Sequence, residues 1–373
     1  MKPMEFNELQ DRIGAGRITR RELMRAAAVA GVAMTAIPLR GKGAQAAGEI
    51  DYFTWSGYEE PNFHKAYTEK YGGEPKATFF ATIEEALQKM LAGYRPDVSH
   101  PCTDNIIRWR DAGVLRPLDT SRLIHWGDLW PELTTIEGTV HEGKHYIAPF
   151  EWGNTSVIYR ADLVDIKEES WALLFDERYA GKLSVQNSSD HAVIGAAMAL
   201  GIKTPFAMND DELAQVKAKL IAQKPLLRFY WDDVTSLDQA LASGEIVAST
   251  GWNESLVRLK KQGLDIKYMN PKEGILTWVC GLSVMEGAPG DEQAAYDFIN
   301  AMQDPESGKF LIENWGYGHS NKKSFETVKP EILAGLGFTS PADLFAQGLF
   351  FVEVEPKLKE RYNALFEQVK AGL

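Results

Sequence analysis

A chain of 373 residues, 45% hydrophobic and 25% charged, is long enough for two ordinary domains and has the balance of a water-soluble protein. Its 40 basic and 52 acidic residues leave a formal charge of −12, which argues against nucleic acid or an anionic lipid surface as partner and suits a cationic ligand. No apolar run approaches the ~20 residues a membrane span needs.

The first stretch reads as an address rather than as fold. Thr19-Arg20-Arg21-Glu22-Leu23-Met24 precedes the Ala-rich segment Ala26 to Leu39, and Ala44-Gln45-Ala46 follows. A basic region, a short apolar region and an A-x-A cleavage site with paired arginines predict a twin-arginine signal peptide over residues 1–46, and so a periplasmic protein. An ordinary N-terminal helix fits poorly, because Gly31, Pro38, Gly41 and Gly43 interrupt it. Cleavage would remove eight basic and four acidic residues and deepen the charge to −16. Cys102 and Cys280 would then lie in an oxidising compartment, either as one disulfide or as two buried thiols.

From Glu49 to Trp55 the pattern predicts a first strand, ending at Ser56-Gly57-Tyr58. A helix over Glu60 to Lys70 stops at Gly72-Gly73; Ala77 to Phe80 is a second strand, Ile83 to Ala92 a second helix, and Asp97 to His100 a third strand. This alternation predicts a parallel α/β sheet with ligands beyond the C-terminal strand ends, where Trp55, Ser56, Tyr58, Cys102 and Asp104 fall. Asn105 to Gly113 is a further helix and Gly138 to Ile147 a hairpin. Pro149-Phe150-Glu151-Trp152-Gly153-Asn154-Thr155 then runs into an alternating strand and reads as a crossing between two lobes.

The second lobe repeats the logic. Lys182 to Val185 is a strand, Asn187 to His191 a loop carrying Asp190, and Ala192 to Gly201 a helix pointing into that loop. Asp210 to Ala222 is helical, Arg228 to Asp233 a strand ending in a polar cluster, Ser236 to Ser243 a helix and Ile246 to Thr250 a strand capped by Gly251-Trp252-Asn253-Glu254. A strand through Trp278 is the predicted return crossing, followed by helices over Asp291 to Met302 and Pro305 to Trp315. The tail from Pro341 to Leu373 reads as helical, packed across the second lobe.

Six aromatics, Trp55, Tyr58, Trp152, Trp231, Trp252 and Trp278, sit at predicted strand ends or adjoining turns. Together they can wall a pocket for a cation or a flat ligand, each ring face attracting positive charge by about 0.5–2 kcal/mol. Asp104, Glu151, Asp190, Asp232, Asp233 and Glu254 are the carboxylates able to pair with an ammonium there. Catalytic signatures are missing: there is no G-x-S-x-G, H-E-x-x-H, P-loop or dinucleotide fingerprint. His141, Glu142 and His145 on a hairpin lack the helical spacing of a metal pair, and Cys102 with His100 lacks an orienting third group.

Seven segments resemble the spermidine/putrescine-type extracellular solute-binding proteins of bacterial ABC importers. They are Phe53 to Tyr58, Asp97 to Thr103, Pro149 to Thr155, Ser170-Trp171-Ala172-Leu173-Leu174-Phe175, Gly251 to Ser255, Pro271-Lys272-Glu273-Gly274 and Trp315-Gly316-Tyr317-Gly318. The resemblance implies a type II periplasmic binding fold: two α/β lobes joined by a hinge, with the ligand cleft between them. Lobe one would be residues 47–153 plus 279–325, and lobe two residues 154–278 plus 326–373. It also implies that Trp55, Tyr58, Trp252, Trp278 and Tyr317 sandwich a polyamine-like amine.

The sequence departs from that pattern in its acids. Polyamine binders place carboxylates where this chain has Asn187 to His191, and an aspartate where it has Cys280. The aromatic box is kept and its charges are thinned, which suits a singly cationic, quaternary or zwitterionic amine at least as well as a polyamine. The expected ligand contacts are Trp55, Ser56, Tyr58, Cys102, Asp104, Glu151, Trp152, Asp190, Trp231, Trp252, Trp278, Cys280 and Tyr317. The expected partners are a small organic cation and a membrane permease; the protein is read as a monomer without cofactor or metal. An opine or phosphonate binder and a secreted enzyme on the same scaffold are the alternatives.

Overall fold

The computed structural model describes residues 48–338 and 341–373. The signal-peptide reading of residues 1–46, with its expected boundary near Ala47, lies outside the described residues. Among the described residues there are thirteen strands: β1 (Asp51–Thr54), β2 (Lys76–Phe79), β3 (Val98–Ser99), β4 (Val140–His141), β5 (Lys144–His145), β6 (Ala148–Arg160), β7 (Leu183–Gln186), β8 (Leu227–Trp231), β9 (Ala248–Trp252), β10 (Ile266–Tyr268), β11 (Leu276–Val284), β12 (Gly318–His319) and β13 (Leu349–Phe350).

Two parallel triplets, β2-β1-β3 and β9-β7-β8, are stitched together by the antiparallel pair β11 and β6 in the order β2-β1-β3-β11-β6-β9-β7-β8. The C-terminal end of β11 pairs with β3, and the C-terminal half of β6 pairs with β9. Where the two long strands run side by side, Trp278 stands opposite Gly153 and Cys280 opposite Glu151. Both crossings expected from the sequence therefore meet at one place. All residues of β6 but the last are buried, as in a strand covered on both faces.

Side-chain alternation builds the layers on each triplet. On β1, Tyr52 packs into a core with Phe63, Tyr67, Phe298 and Leu311, while its neighbour Phe53 faces the opposite core with Ile83, Met90 and Trp109. Val157 and Tyr159 of β6 join Leu183, Val193 and Val216, whereas Ile158 between them joins Leu237, Leu256 and Leu259. Helices cover both faces of the sheet, the mixed α/β architecture that the strand–helix alternation predicts.

Helix boundaries follow their caps. Thr82 Oγ1 accepts from the Glu85 amide to open Ile83–Leu91, and Asn209 with Glu212 forms a capping box on Asp210–Gln223. Asp304 and Pro305 open Pro305–Trp315, which Gly316 closes in the left-handed conformation. The segments Ser170-Trp171 and Glu273-Gly274, both part of the resemblance, have a packing role: Glu273 accepts from the Ser170 hydroxyl at 2.5 Å and Trp171 Nε1 donates to the Gly274 carbonyl at 2.9 Å.

Two expectations need correction. The helix after β7 begins at Ser189, not at Ala192, so Asp190 and His191 lie in its first turn instead of on a preceding loop. The tail is not helical throughout. Helices Pro341–Gln347 and Pro356–Ala371 flank β13, which pairs in parallel with β11, and an extended stretch up to Glu355. The alternation Phe351, Val352, Glu353, Val354 and the helix-opening Pro356 are the strand and boundary signals overlooked there.

Candidate functional site

A cavity of about 360 Å³ opens where the two triplets face each other across the β6–β11 crossing. The β1 turn supplies Trp55, Ser56 and Tyr58; the turn after β3 supplies Cys102, Asp104 and Asn105; β6 supplies Glu151, and β11 supplies Trp278 and Cys280. Trp252 and Glu254 come from the β9 end, His191 from its helix, Trp315 and Tyr317 from the end of Pro305–Trp315, and Phe351 from beyond β13.

The rings support one another through edge-to-face and tilted contacts. Trp278 meets Tyr317 at 4.8 Å between centroids and 86°, Trp252 meets Trp231 at 5.3 Å and 88°, and Tyr58 meets Trp315 at 5.0 Å. Trp278 can lie flat on β6 because residue 153 is glycine: a Cβ there would fall 2.3 Å from the indole. A register slip between Cys280 and Gly281 sets the strand's aim into the cavity, and it too needs glycine, since a Cβ on Gly281 would lie 2.3 Å from the Ala148 carbonyl oxygen. Cys102 and Cys280 are joined as a disulfide on this wall, settling the alternative that the sequence left open.

At the floor lies a carboxylate taken out of water. Glu151 is 1% exposed, and His100 behind it is fully buried. His100 Nε2 is 3.1 Å from Glu151 Oε2, while its Nδ1 lies 2.9 Å from the Tyr52 hydroxyl and 3.1 Å from Thr54 Oγ1. An ionised carboxylate only accepts, so the arrangement assigns the ring proton to Nε2 and leaves Nδ1 to accept from a hydroxyl. Glu151 Oε1 is buried as well and lies 3.0 Å from the same Nε2, so the imidazole faces both carboxylate oxygens. Burial first, and then the Glu151 charge, push the neighbouring Tyr58 phenol well above its usual pKa; Tyr317 is raised similarly by burial and by Glu254. Both phenols stay neutral at any physiological pH.

Asp104 is the other acid whose state matters. Burial first, then the nearby Asp190 charge, raise it to about 7, with Lys359 opposing. A carboxyl with a raised pKa costs folded-state stability as pH climbs from its unfolded value to its folded one, and no more above that. Asp104→Asn should therefore gain stability over wild type between about pH 4 and 7 and hold that gain constant at higher pH. Urea unfolding at several pH values reads this directly, and a difference independent of pH would contradict it.

Of the expected contacts, Trp55, Ser56, Tyr58, Cys102, Asp104, Glu151, Trp252, Trp278, Cys280 and Tyr317 line the cavity. Trp152, Trp231 and Asp190 do not. Trp152 is fully buried on the other face of β6 from Glu151, against Phe338 and Phe345. Trp231 is 1% exposed and backs Trp252 from behind, its Nε1 donating to the Thr250 carbonyl at 3.2 Å. Asp190 pairs with Lys359 in a neighbouring cavity. Glu254, named among the candidate carboxylates, also lines the cavity, whereas Ile83, Asn105, His191, Trp315 and Phe351 line it without having been singled out as contacts. Among the described residues no three His, Cys, Asp or Glu side chains gather to hold a metal.

This arrangement is a two-sided aromatic cleft between α/β halves, the geometry of a site that encloses a small ligand. The chain belongs to the family of bacterial extracellular solute-binding proteins, whose model matches residues 62–334. It is similar to the putrescine/agmatine-binding protein of Pseudomonas aeruginosa, 25% identical over 87% of this chain and 92% of that one. The spermidine/putrescine-binding periplasmic protein of Escherichia coli is 24% identical over 86% of this chain and 91% of its own length. In fold it is similar to the spermidine/putrescine ABC transporter substrate-binding protein of Streptococcus pneumoniae, with a TM-score of 0.77 and 20% identity over 87% of this chain and 99% of that one. The protein is thus a solute-binding protein rather than an enzyme.

Proposed function

We propose that the protein captures an amine-containing organic cation in the periplasm and presents it to the membrane permease of its importer. The observation that carries this is Glu151, a carboxylate only 1% exposed that lines a cavity walled by Trp55, Tyr58, Trp252, Trp278 and Tyr317. An ammonium seated there would donate to the carboxylate, whose oxygens can each accept more than one hydrogen bond, while the ring faces hold its charge and its methylenes. The ligands named for the Pseudomonas relative, putrescine and agmatine, are amines as well.

In this reading residues 47–153 with 279–325 form one lobe and residues 154–278 with 326–373 the other. They close over the ligand by bending where Gly153 faces Trp278, and the protein acts as a monomer exported by the twin-arginine route. The test is calorimetric titration with butylamine. Trp252→Ala should weaken binding by about 1–2 kcal/mol, or about 5- to 30-fold in Kd. An unchanged affinity would remove Trp252 from the ligand's wall.

A further inference from the structure

Beside the aromatic cavity lies a second one of about 220 Å³, and the two share Asp104, Asn105 and Phe351 as a common wall. Its remaining charged groups are Asp190, Arg108, Glu353, Lys359 and Glu360. Lys359, reaching in from the helix Pro356–Ala371, places its ammonium on Asp190 Oδ2, in the first turn of Ser189–Ala199. Asp190 Oδ1 is buried with no hydrogen-bond partner among the described residues. Arg108 is engaged elsewhere: its guanidinium binds Glu84 and Asn105, and its amide donates to Glu353 at 3.2 Å.

We propose that this side cavity is a second ammonium subsite, filled by the chain's own Lys359, and that the protein thereby selects ligands carrying one ammonium over those carrying two. The inference rests on the amine reading above but stands on different residues. Asp104 and Asp190 converge on one small space opening from the ligand cavity, and the cation already held there is covalently part of the protein. A diamine anchored at Glu151 would have to displace Lys359 or leave its second ammonium unpaired next to it. Either outcome penalises the dication, because unlike a rim charge the Asp190 side chain is only 14% exposed.

Lys359 is 37% exposed, so Lys359→Met keeps the stem's packing, and Lys359→Gln serves as a second variant should the methionine perturb the helix. The probes are butylamine and putrescine, which share a carbon chain and differ by one ammonium, titrated calorimetrically into the full chain at pH 8. Wild type should prefer butylamine. Lys359→Met should tighten putrescine at least about tenfold while leaving butylamine within about twofold, and adding Asp190→Asn should abolish that gain. If both proteins bind butylamine and putrescine is unchanged by the substitution, the subsite is refuted and the amine reading survives. If neither amine binds any of the proteins, the amine reading falls and takes this inference with it.

Discussion

Glu151→Gln should cost at least about 2 kcal/mol of amine affinity, roughly a 30-fold rise in Kd, because truncating one partner of a buried charge pair typically costs 2–5 kcal/mol. The amide keeps the size of the side chain and removes its charge. His100 would still find a carbonyl oxygen to donate to, so the fold has no reason to change and the loss should appear in binding alone. The effect should exceed that of any single ring, since each ring face contributes about 0.5–2 kcal/mol. Calorimetry with butylamine on a variant of unaltered thermal stability measures this. An affinity within about twofold of wild type would mean that the ammonium sits elsewhere.

Breaking the disulfide should have the largest effect on stability. Cys102 and Cys280 are 178 residues apart, and the crosslink joins the turn after β3 to the strand that crosses between the halves. Loop closure on that scale constrains the unfolded chain by about 5 kcal/mol in the entropic account, and loss of a native disulfide typically costs 2–5 kcal/mol. Cys102→Ser with Cys280→Ser, or reduction of the native protein, should therefore lower the denaturant midpoint clearly. Coincident unfolding curves for oxidised and reduced protein would contradict the crosslink's role. Cys280 stands directly opposite Glu151, so the same variant should also disturb the ligand wall.

Much of this was legible in the sequence because local signals and fold agree. Asp304-Pro305 and Gly316 bracket a helix that the structure places at Pro305–Trp315, and the two crossings read from Pro149 to Thr155 and at Trp278 do pair with each other. Period-two alternation, applied to β6, already separates Glu151 from Trp152: neighbours on a strand face opposite sides, so a cavity that takes one excludes the other. Trp278 and Cys280, two apart on β11, obey the same rule and line the cavity together.

What was hidden is long-range. Nothing near Asp190 announces a lysine 169 residues away, yet that ion pair turns a candidate ligand anchor into an internal contact. Phe351 was lost because a short edge strand between two helices leaves only a few residues of signal, which a helical tail absorbs easily. Trp315 belonged to a segment whose resemblance was noted, but its side chain ends a helix, and only the left-handed turn at Gly316 shows that it and Tyr317 both face the cavity.

The most direct measurement of the central claim is native mass spectrometry of the protein purified from its own periplasm without denaturation. A bound species with the mass and fragmentation of a small organic amine, lost in Glu151→Gln, is the expected result. A sugar, a phosphonate or an opine held equally by wild type and Glu151→Gln would contradict it.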